Sequence, residues 1–227
     1  MSWLLHIETS SQLGYVAIAQ NDQCVAATEN RNPMEHAAFV QPAVANLCQQ
    51  LQISLSDIDA ICVSNGPGSY TGLRVGLASA KGLCYALNKP LITLSTLHIM
   101  AHAMMSTDLY KPGMLLAPLI DARRMEVFFA LYNQPLEVQL EPQTAILHSS
   151  FLNEYAPANE ILFAGSGAAK LKAVSNSAYH LFAEIPSTIT SMCTEGYRHY
   201  QQQHFASLAY ATPFYCKTFY STQKQQE

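Results

Sequence analysis

The chain has 227 residues, of which 49% are hydrophobic and only 12% charged, with a net charge of -4. That length supports one large or two small packed domains, and the charged fraction is about half the usual ~25%. A surface short of charge points to cover by another protein, with the many Gln residues supplying polar surface elsewhere. No basic run stands among the 12 Lys and Arg, which argues against unaided gripping of RNA or DNA. The six cysteines form no Cys-x-x-Cys pair and mostly sit in apolar runs, the pattern of a reduced, cytoplasmic protein. The N-terminus lacks a basic region followed by an apolar core, and no run is long enough to span a bilayer.

In chain order, Trp3–Ile7, Gly14–Ala19 and Cys24–Thr28 predict a β-meander. A helix over 34–51 follows, with Ala37, Val40, Val44, Leu47 and Leu51 on its apolar side and Pro42 expected to kink or break it. Ile58–Ser64 predicts a strand, 65–71 a glycine-rich loop, and 72–87 a helix stopped by Asn88 and Pro90. Leu91–Leu94 predicts a further strand, with Ser95 as N-cap of the next helix, which runs to Met105. Asp108, Lys111, Pro112 and Gly113 mark a boundary, dividing the chain into an N-terminal lobe at 1–108 and a C-terminal lobe at 109–227, with the last helix packing back on the first lobe.

The second half restarts the pattern of the first. Leu115–Ile120 ends in Asp121 as Trp3–Ile7 ends in Glu8, and strands at Val127–Tyr132 and Leu136–Leu140 follow. A strand at Ile161–Phe163 leads through Gly165-Ser166-Gly167 to a helix from Ala168, and a last helix covers 186–200 before a polar tail from Thr222. Two lobes that each open with strand, carboxylate and hairpin have the layout of the α/β actin-like ATPase, sugar-kinase and Hsp70 (ASKHA) architecture, with ribonuclease H-like lobes. In that layout the carboxylates face nucleotide phosphate across a cleft.

The loop Gly66-Pro67-Gly68-Ser69-Tyr70-Thr71-Gly72 fits neither common phosphate motif. Three residues separate Gly68 from Gly72, not the two of a dinucleotide fingerprint, and no Gly-Lys-Ser/Thr follows. On residue types alone it is a tight strand-to-helix turn, with a phosphate or partner contact as the alternative. In the helix beyond it, Gly72, Gly76 and Ala80 recur at every fourth position, and Gly82 adds a further small residue. A helix-interior Gly costs about 1 kcal/mol relative to Ala, so these glycines imply close approach of another element. Only Arg74 and Lys81 are charged in this helix, and only Glu35 in helix 34–51. Burial within the chain and a bundle with a partner are both open, and the low charge favours the partner.

These residues resemble the TsaB family, also called YeaZ, which helps make the threonylcarbamoyladenosine modification of tRNA. The resemblance runs through His6-Ile7-Glu8-Thr9-Ser10, His36 ahead of Pro42, Gly66 to Gly76, Ser95-Thr96-Leu97, Ile120-Asp121-Ala122-Arg123, Glu126-Val127, Gly165-Ser166-Gly167, and Pro213 with Tyr215. It implies the two-lobed ASKHA fold and a non-catalytic scaffold. It also implies a homodimer, or a heterodimer with the catalytic paralogue TsaD, through the first two helices, with the ATPase TsaE joining the complex. The interface would draw on Glu35, His36, Phe39, Val40, Gly72, Leu73, Arg74, Gly76 and Ala80. Residues near nucleotide would be Glu8, Thr9, Gly68, Ser69, Thr71, Asp121 and Arg123. No cofactor of its own is implied; ATP or ADP would sit at the complex interface, and tRNA would be met only through the complex. Glu8 stands where the family usually has Asp, and Lys217 where it has Arg, a longer reach toward Mg²⁺ and a lost bidentate contact respectively.

His98 and His102 share one face of a predicted helix and have metal-ligand spacing. The paralogue's His-x-x-x-His pair would instead fall on Thr96 and Met100, and a two-residue shift turns the pair by roughly 200°. The expectation is two ordinary helix histidines and no metal site. Asp121, Arg123, Arg124 and Glu126 cluster beside the presumed cleft without a nucleophile–base pair. Two enzyme readings compete with the scaffold: an ATPase or sugar-type kinase using Glu8 and Asp121, and a glycoprotease-like metallopeptidase resting on His98 and His102.

Overall fold

The computed structural model describes residues 1–153 and 159–217. It holds two five-stranded sheets of matching plan. The first contains β1 (Trp3–Glu8), β2 (Gly14–Gln20), β3 (Gln23–Asn30), β4 (Ala60–Gly66) and β5 (Leu91–Ser95) in the order β3-β2-β1-β4-β5. The second contains β6 (Leu115–Asp121), β7 (Glu126–Tyr132), β8 (Val138–Ile146), β9 (Ile161–Ala164) and β10 (His180–Phe182) in the order β10-β9-β6-β7-β8. In each, a three-strand antiparallel meander is extended by two parallel strands. β1 and β6 are therefore equivalent central strands, and Glu8 and Asp121 close them opposite Tyr15 and Val127. This duplicated ribonuclease H-like plan is the two-lobed actin-like α/β fold expected from the strand-carboxylate-hairpin repeat.

The first sheet is covered on both faces. α1 (His36–Leu51) and α2 (Tyr70–Leu87) pack on one side, where Leu5, Ile7, Val40, Val44, Leu47, Ile61, Val63 and Leu77 form the core. α5 (Ile189–Gln201) covers the other side, around Leu4, Tyr15, Cys62, Ile92, Met192 and Cys193. A strand buried on both faces loses polar alternation, and β1 is apolar at every position from Leu4 to Ile7 except His6.

α3 (Thr96–Met104) joins the two halves. Ile99 packs in the first sheet's core, whereas Leu97, Met100, Ala101 and Met104 pack with Leu116, Ala130, Tyr132 and Leu162 of the second. A helix wedged between two sheets must be apolar nearly all round. α4 (Ala168–Val174) lies on the far face of the second sheet with Phe129, Phe151 and Phe163. Beyond α5 the chain returns along the first sheet: Ala206 N–H donates to the Leu91 carbonyl and Phe214 N–H to that of Asn65.

Local chemistry explains where the elements differ from their expected bounds. Ser69 caps α2 by accepting from the Gly72 N–H, so the helix begins at Tyr70 rather than Gly72, and left-handed Asn88 ends it as expected. Pro33 opens a 3-10 turn, and α1 then runs unbroken through Pro42. The ring is exposed there, so the helix forfeits one hydrogen bond without a clash in the core. β8 extends to Ile146 because register shifts keep it paired with β7. β10 is three residues long and has no pattern that would reveal it in sequence. The tail from Thr222 lies outside the described residues.

Candidate functional site

The carboxyl ends of β1 and β4 meet at the glycine loop. Thr9 and Ser10, directly after β1, run against the start of α2 so closely that side chains are excluded. A Cβ on Gly72 would lie 1.9 Å from the Thr9 carbonyl oxygen, one on Gly76 2.4 Å from Thr9 Oγ1, and one on Gly68 2.4 Å from the Ser10 carbonyl oxygen. The contact is fastened by Thr9 Oγ1–H donating to the Gly72 carbonyl at 2.7 Å and Ser69 N–H donating to the Ser10 carbonyl at 2.6 Å. The glycine loop thus clasps the β1–β2 turn of its own chain.

That geometry corrects part of the expected partner face. Gly72, Leu73, Gly76 and Ala80 are buried inside the first lobe because the small-residue stripe receives Thr9 and Val63. His36 and Val40 are buried as well; His36 Nε2 lies 3.0 Å from the Ser11 carbonyl and its Nδ1 3.0 Å from Asn30 Nδ2. Glu35 and Arg74 are exposed and Phe39 is half-buried. The Arg74 guanidinium lies over the Tyr70 ring at 4.0 Å and donates to the Tyr215 hydroxyl at 3.0 Å.

The outer side of the same helices is different. Ala37, Ala38, Pro42 and Ala45 of α1 and Ala78, Gly82, Tyr85 and Ala86 of α2 are exposed. Tyr85 is 83% and Met34 92% exposed, and a Cβ on Gly82 would meet no atom within 4 Å.

The two strand-end carboxylates have opposite environments. Glu8 is 5% exposed and accepts from the Ser10 N–H at 2.5 Å. Burial pushes its pKa up, opposed by its Ser10 and Ser64 neighbours and by His36. Asp121 is exposed; its slight burial favours the neutral acid, but Lys170, at 2.5 Å, and the Arg123 N–H hold its pKa below the ordinary value. Thr71 is exposed at the start of α2, and Arg123 and Arg124 are exposed at the β6–β7 turn, both with positive φ. For a bound nucleotide the fit on the first lobe is poor. The Ser10 and Ser69 N–H groups are already engaged within the chain, and Glu8 is buried beneath the turn.

A second polar cluster lies between α3 and α5. Buried Glu195 receives His98 Nε2 at 3.1 Å and Arg198 Nη2 at 2.5 Å, with His102 Nε2 at 3.9 Å from its other oxygen. Burial works to raise the Glu195 pKa, but His98 and Arg198 more than offset it and hold it down at about 2. The His pair therefore has a structural partner on α5. Among the described residues no group of three or more His, Cys, Asp or Glu is placed to hold a metal ion. Sequence reasoning missed Glu195, although Glu195 and Arg198 stand at helical i,i+3 spacing. Lys217 ion-pairs with Glu126 Oε2, tying the returning chain to β7.

Residues 31–212 match the sequence family described as TsaD, tRNA N6-adenosine threonylcarbamoyltransferase. The chain is 32% identical over 147 residues to the tRNA threonylcarbamoyladenosine biosynthesis protein TsaB of Bacillus subtilis, covering 63% of this chain and 62% of that protein. It is 34% identical over 131 residues to TsaB of Escherichia coli, covering 58% and 55%. The chain belongs to this family, on its TsaB (YeaZ) branch. The matched regions span about 55–62% of the lengths of these TsaB relatives. The solved structure of YeaZ from Pseudomonas aeruginosa superposes with a TM-score of 0.78 at 26% identity, covering 95% of this chain and 100% of that one. Within the TsaB (YeaZ) branch, this member carries Glu8 as a buried carboxylate and Lys217 as a bridge between the returning chain and the second sheet. No helix among the described residues is long and apolar enough to cross a membrane.

Proposed function

We propose that this protein is a non-catalytic partner subunit in formation of N6-threonylcarbamoyladenosine at position 37 of tRNA. It docks on the TsaD-type transferase, or on a second copy of itself, through the outer faces of α1 and α2. TsaE joins that assembly, and tRNA is met only through it. The observation that carries this reading is Gly82. Gly72 and Gly76 are accounted for inside the lobe by Thr9, whereas Gly82 lies in the interior of α2 with nothing near its missing side chain. An exposed mid-helix glycine costs about 1 kcal/mol relative to Ala without an internal return. Close approach by a partner helix supplies the reason, and the surrounding alanines with exposed Tyr85 and Met34 suit an apolar, charge-poor contact.

The site chemistry points the same way. Glu8 is buried with its carboxylate engaged by the Ser10 N–H, and Asp121 is paired with Lys170, a poor arrangement for Mg²⁺-phosphate and hence for an ATPase or kinase. The His98–His102 pair that motivated a peptidase is engaged by Glu195. A nucleotide would be held where a partner completes the site, with Arg123 and Arg124 as the accessible cations. Mixing with the transferase and following the complex by size exclusion tests the proposal. Co-elution with wild type but not with Gly82→Arg supports it; no complex, with or without ATP, refutes it.

A further inference from the structure

The chain passes from one sheet to the other twice, through α3 after β5 and again between β10 and α5. Residues 206–217 then bridge the sheets a further time, without a covalent link. Their first part is rooted in the first lobe. Ala206 N–H donates to the Leu91 carbonyl at 2.8 Å, and Ala206, Leu208 and Ala211 pack against the core beneath α1 and α2. The segment then runs alongside α2 in the opposite direction. Lys81 Nζ donates to the Ala209 and Ala211 carbonyls at 3.3 and 3.1 Å, and Arg74 Nε donates to the Tyr215 hydroxyl at 3.0 Å. The Tyr70 and Tyr215 rings lie 5.0 Å apart. Arg74 and Lys81 are the two charged side chains of α2, so both are spent on this segment.

The far part crosses the glycine loop. Phe214 N–H donates to the Asn65 carbonyl at 2.7 Å, and the Phe214 carbonyl oxygen lies 2.4 Å from where a Cβ on Gly66 would stand. Gly66 also has φ at +121°, a conformation that favours glycine. Gly68 and Gly72 are required by the β1–β2 turn; Gly66 is required by the crossing segment. Three residues beyond Phe214, Lys217 ion-pairs with Glu126 of β7 in the second sheet.

We propose that residues 206–217 are a brace that holds the two lobes at one angle, with 213–217 as its releasable end. The root is held by apolar packing and backbone bonding, the end largely by side-chain contacts open to solvent. Arg74 and Phe214 are exposed, and the Lys217 and Glu126 side chains are 37% and 28% exposed. Ion pairs of that kind are individually weak and weaken further with salt. Pro213 stands between the two parts and has no N–H to anchor the chain there. The lobes thus share an apolar junction at α3 and an adjustable tie at Lys217. A partner that shifted Arg74 and Lys81 would move the brace and so reach the second lobe. That consequence rests on the docking proposed for α2, whereas the brace itself does not.

The test uses the full chain alone, so its outcome is independent of partner binding. Hydrogen exchange followed by NMR reads the Ala206 and Phe214 amides separately, and residual dipolar couplings read the relative orientation of the two sheets. Lys217→Glu sets two acidic groups against each other at a half-exposed site. It is expected to speed exchange of the Phe214 amide by roughly fivefold, to leave the Ala206 amide unchanged, and to make the two sheets require separate alignments. Adding Glu126→Lys restores the pair with its signs reversed and should return both readouts toward wild type. Salt at about 1 M, where the Debye length is ~3 Å, should move the wild type in the direction of Lys217→Glu. Unchanged Phe214 exchange in folded Lys217→Glu overturns the proposal. So does a freed Phe214 amide with both sheets still sharing one alignment, because the segment would then be a tail tie and not a brace.

Discussion

Three glycines of one helix should respond in opposite directions to the same substitution. By helix propensity alone, Gly→Ala at 72, 76 or 82 would stabilise α2 by at most about 1 kcal/mol each. At Gly82 that gain stands, because an added Cβ has nothing within 4 Å. At Gly72 the added Cβ would sit 1.9 Å from the Thr9 carbonyl oxygen, so reaching even 3.0 Å requires movement of about 1.1 Å, the difference between the two. The atoms that must move are backbone, and they carry the Thr9 Oγ1–Gly72 and Ser69–Ser10 hydrogen bonds. Overpacking of this kind costs about 1–3 kcal/mol, and a weakened hydrogen bond about 1 kcal/mol more. Gly72→Ala is therefore expected to destabilise by roughly 2 kcal/mol net of propensity, and the two variants to differ by roughly 3 kcal/mol. At this chain length that separation corresponds to roughly 6–12 °C in unfolding midpoint. Urea and thermal unfolding at low protein concentration, where association does not contribute, read the difference. Equal shifts of the same sign in the two variants would refute the placement of Thr9 against α2.

Further outcomes follow from the charged contacts. Glu195 has a folded pKa of about 2 against an ordinary 4.5, so it adds stability above pH 4.5 that is lost as the pH falls from about 4.5 to about 2. The full effect is roughly 3 kcal/mol, and Glu195→Gln should remove most of this acid-limb slope in urea midpoints measured across that window. His98→Ala should shift the same acid transition to higher pH, because one of the groups holding Glu195 ionised is gone. Lys217→Ala breaks a half-exposed ion pair and should change stability by less than about 1 kcal/mol, while making the returning segment easier to cleave in limited proteolysis.

Much of the fold was legible because its signals are local. The strands β1, β2, β4 and β5 are short apolar runs bounded by turn residues, and Ser95 and Asn88 mark helix ends by capping chemistry. The duplication was visible because Glu8 and Asp121 close equivalent strands. The direction of the α2 stripe was not legible. A helix apolar nearly all round has no preferred inward face, and the group that claims Gly72 and Gly76 is Thr9, some 63 residues earlier in the chain. Gly82 stood in the same sequence pattern, yet the structure alone separates it from its neighbours by leaving its Cβ position open. Glu195 was missed because its meaning depends on α3 and α5 packing together, and β10 because three residues paired only to β9 carry no periodicity.

The partner role rests on the outer faces of α1 and α2, and one titration tests it most directly. Sedimentation velocity of the transferase with increasing wild-type chain, set beside Gly82→Arg and Gly82→Ala, measures whether that face makes the contact. The account predicts a stoichiometric complex with wild type, loss of at least tenfold in affinity for Gly82→Arg, and unchanged circular dichroism and monomer stability no lower than wild type for Gly82→Ala. Equal binding by wild type and a folded Gly82→Arg would contradict it.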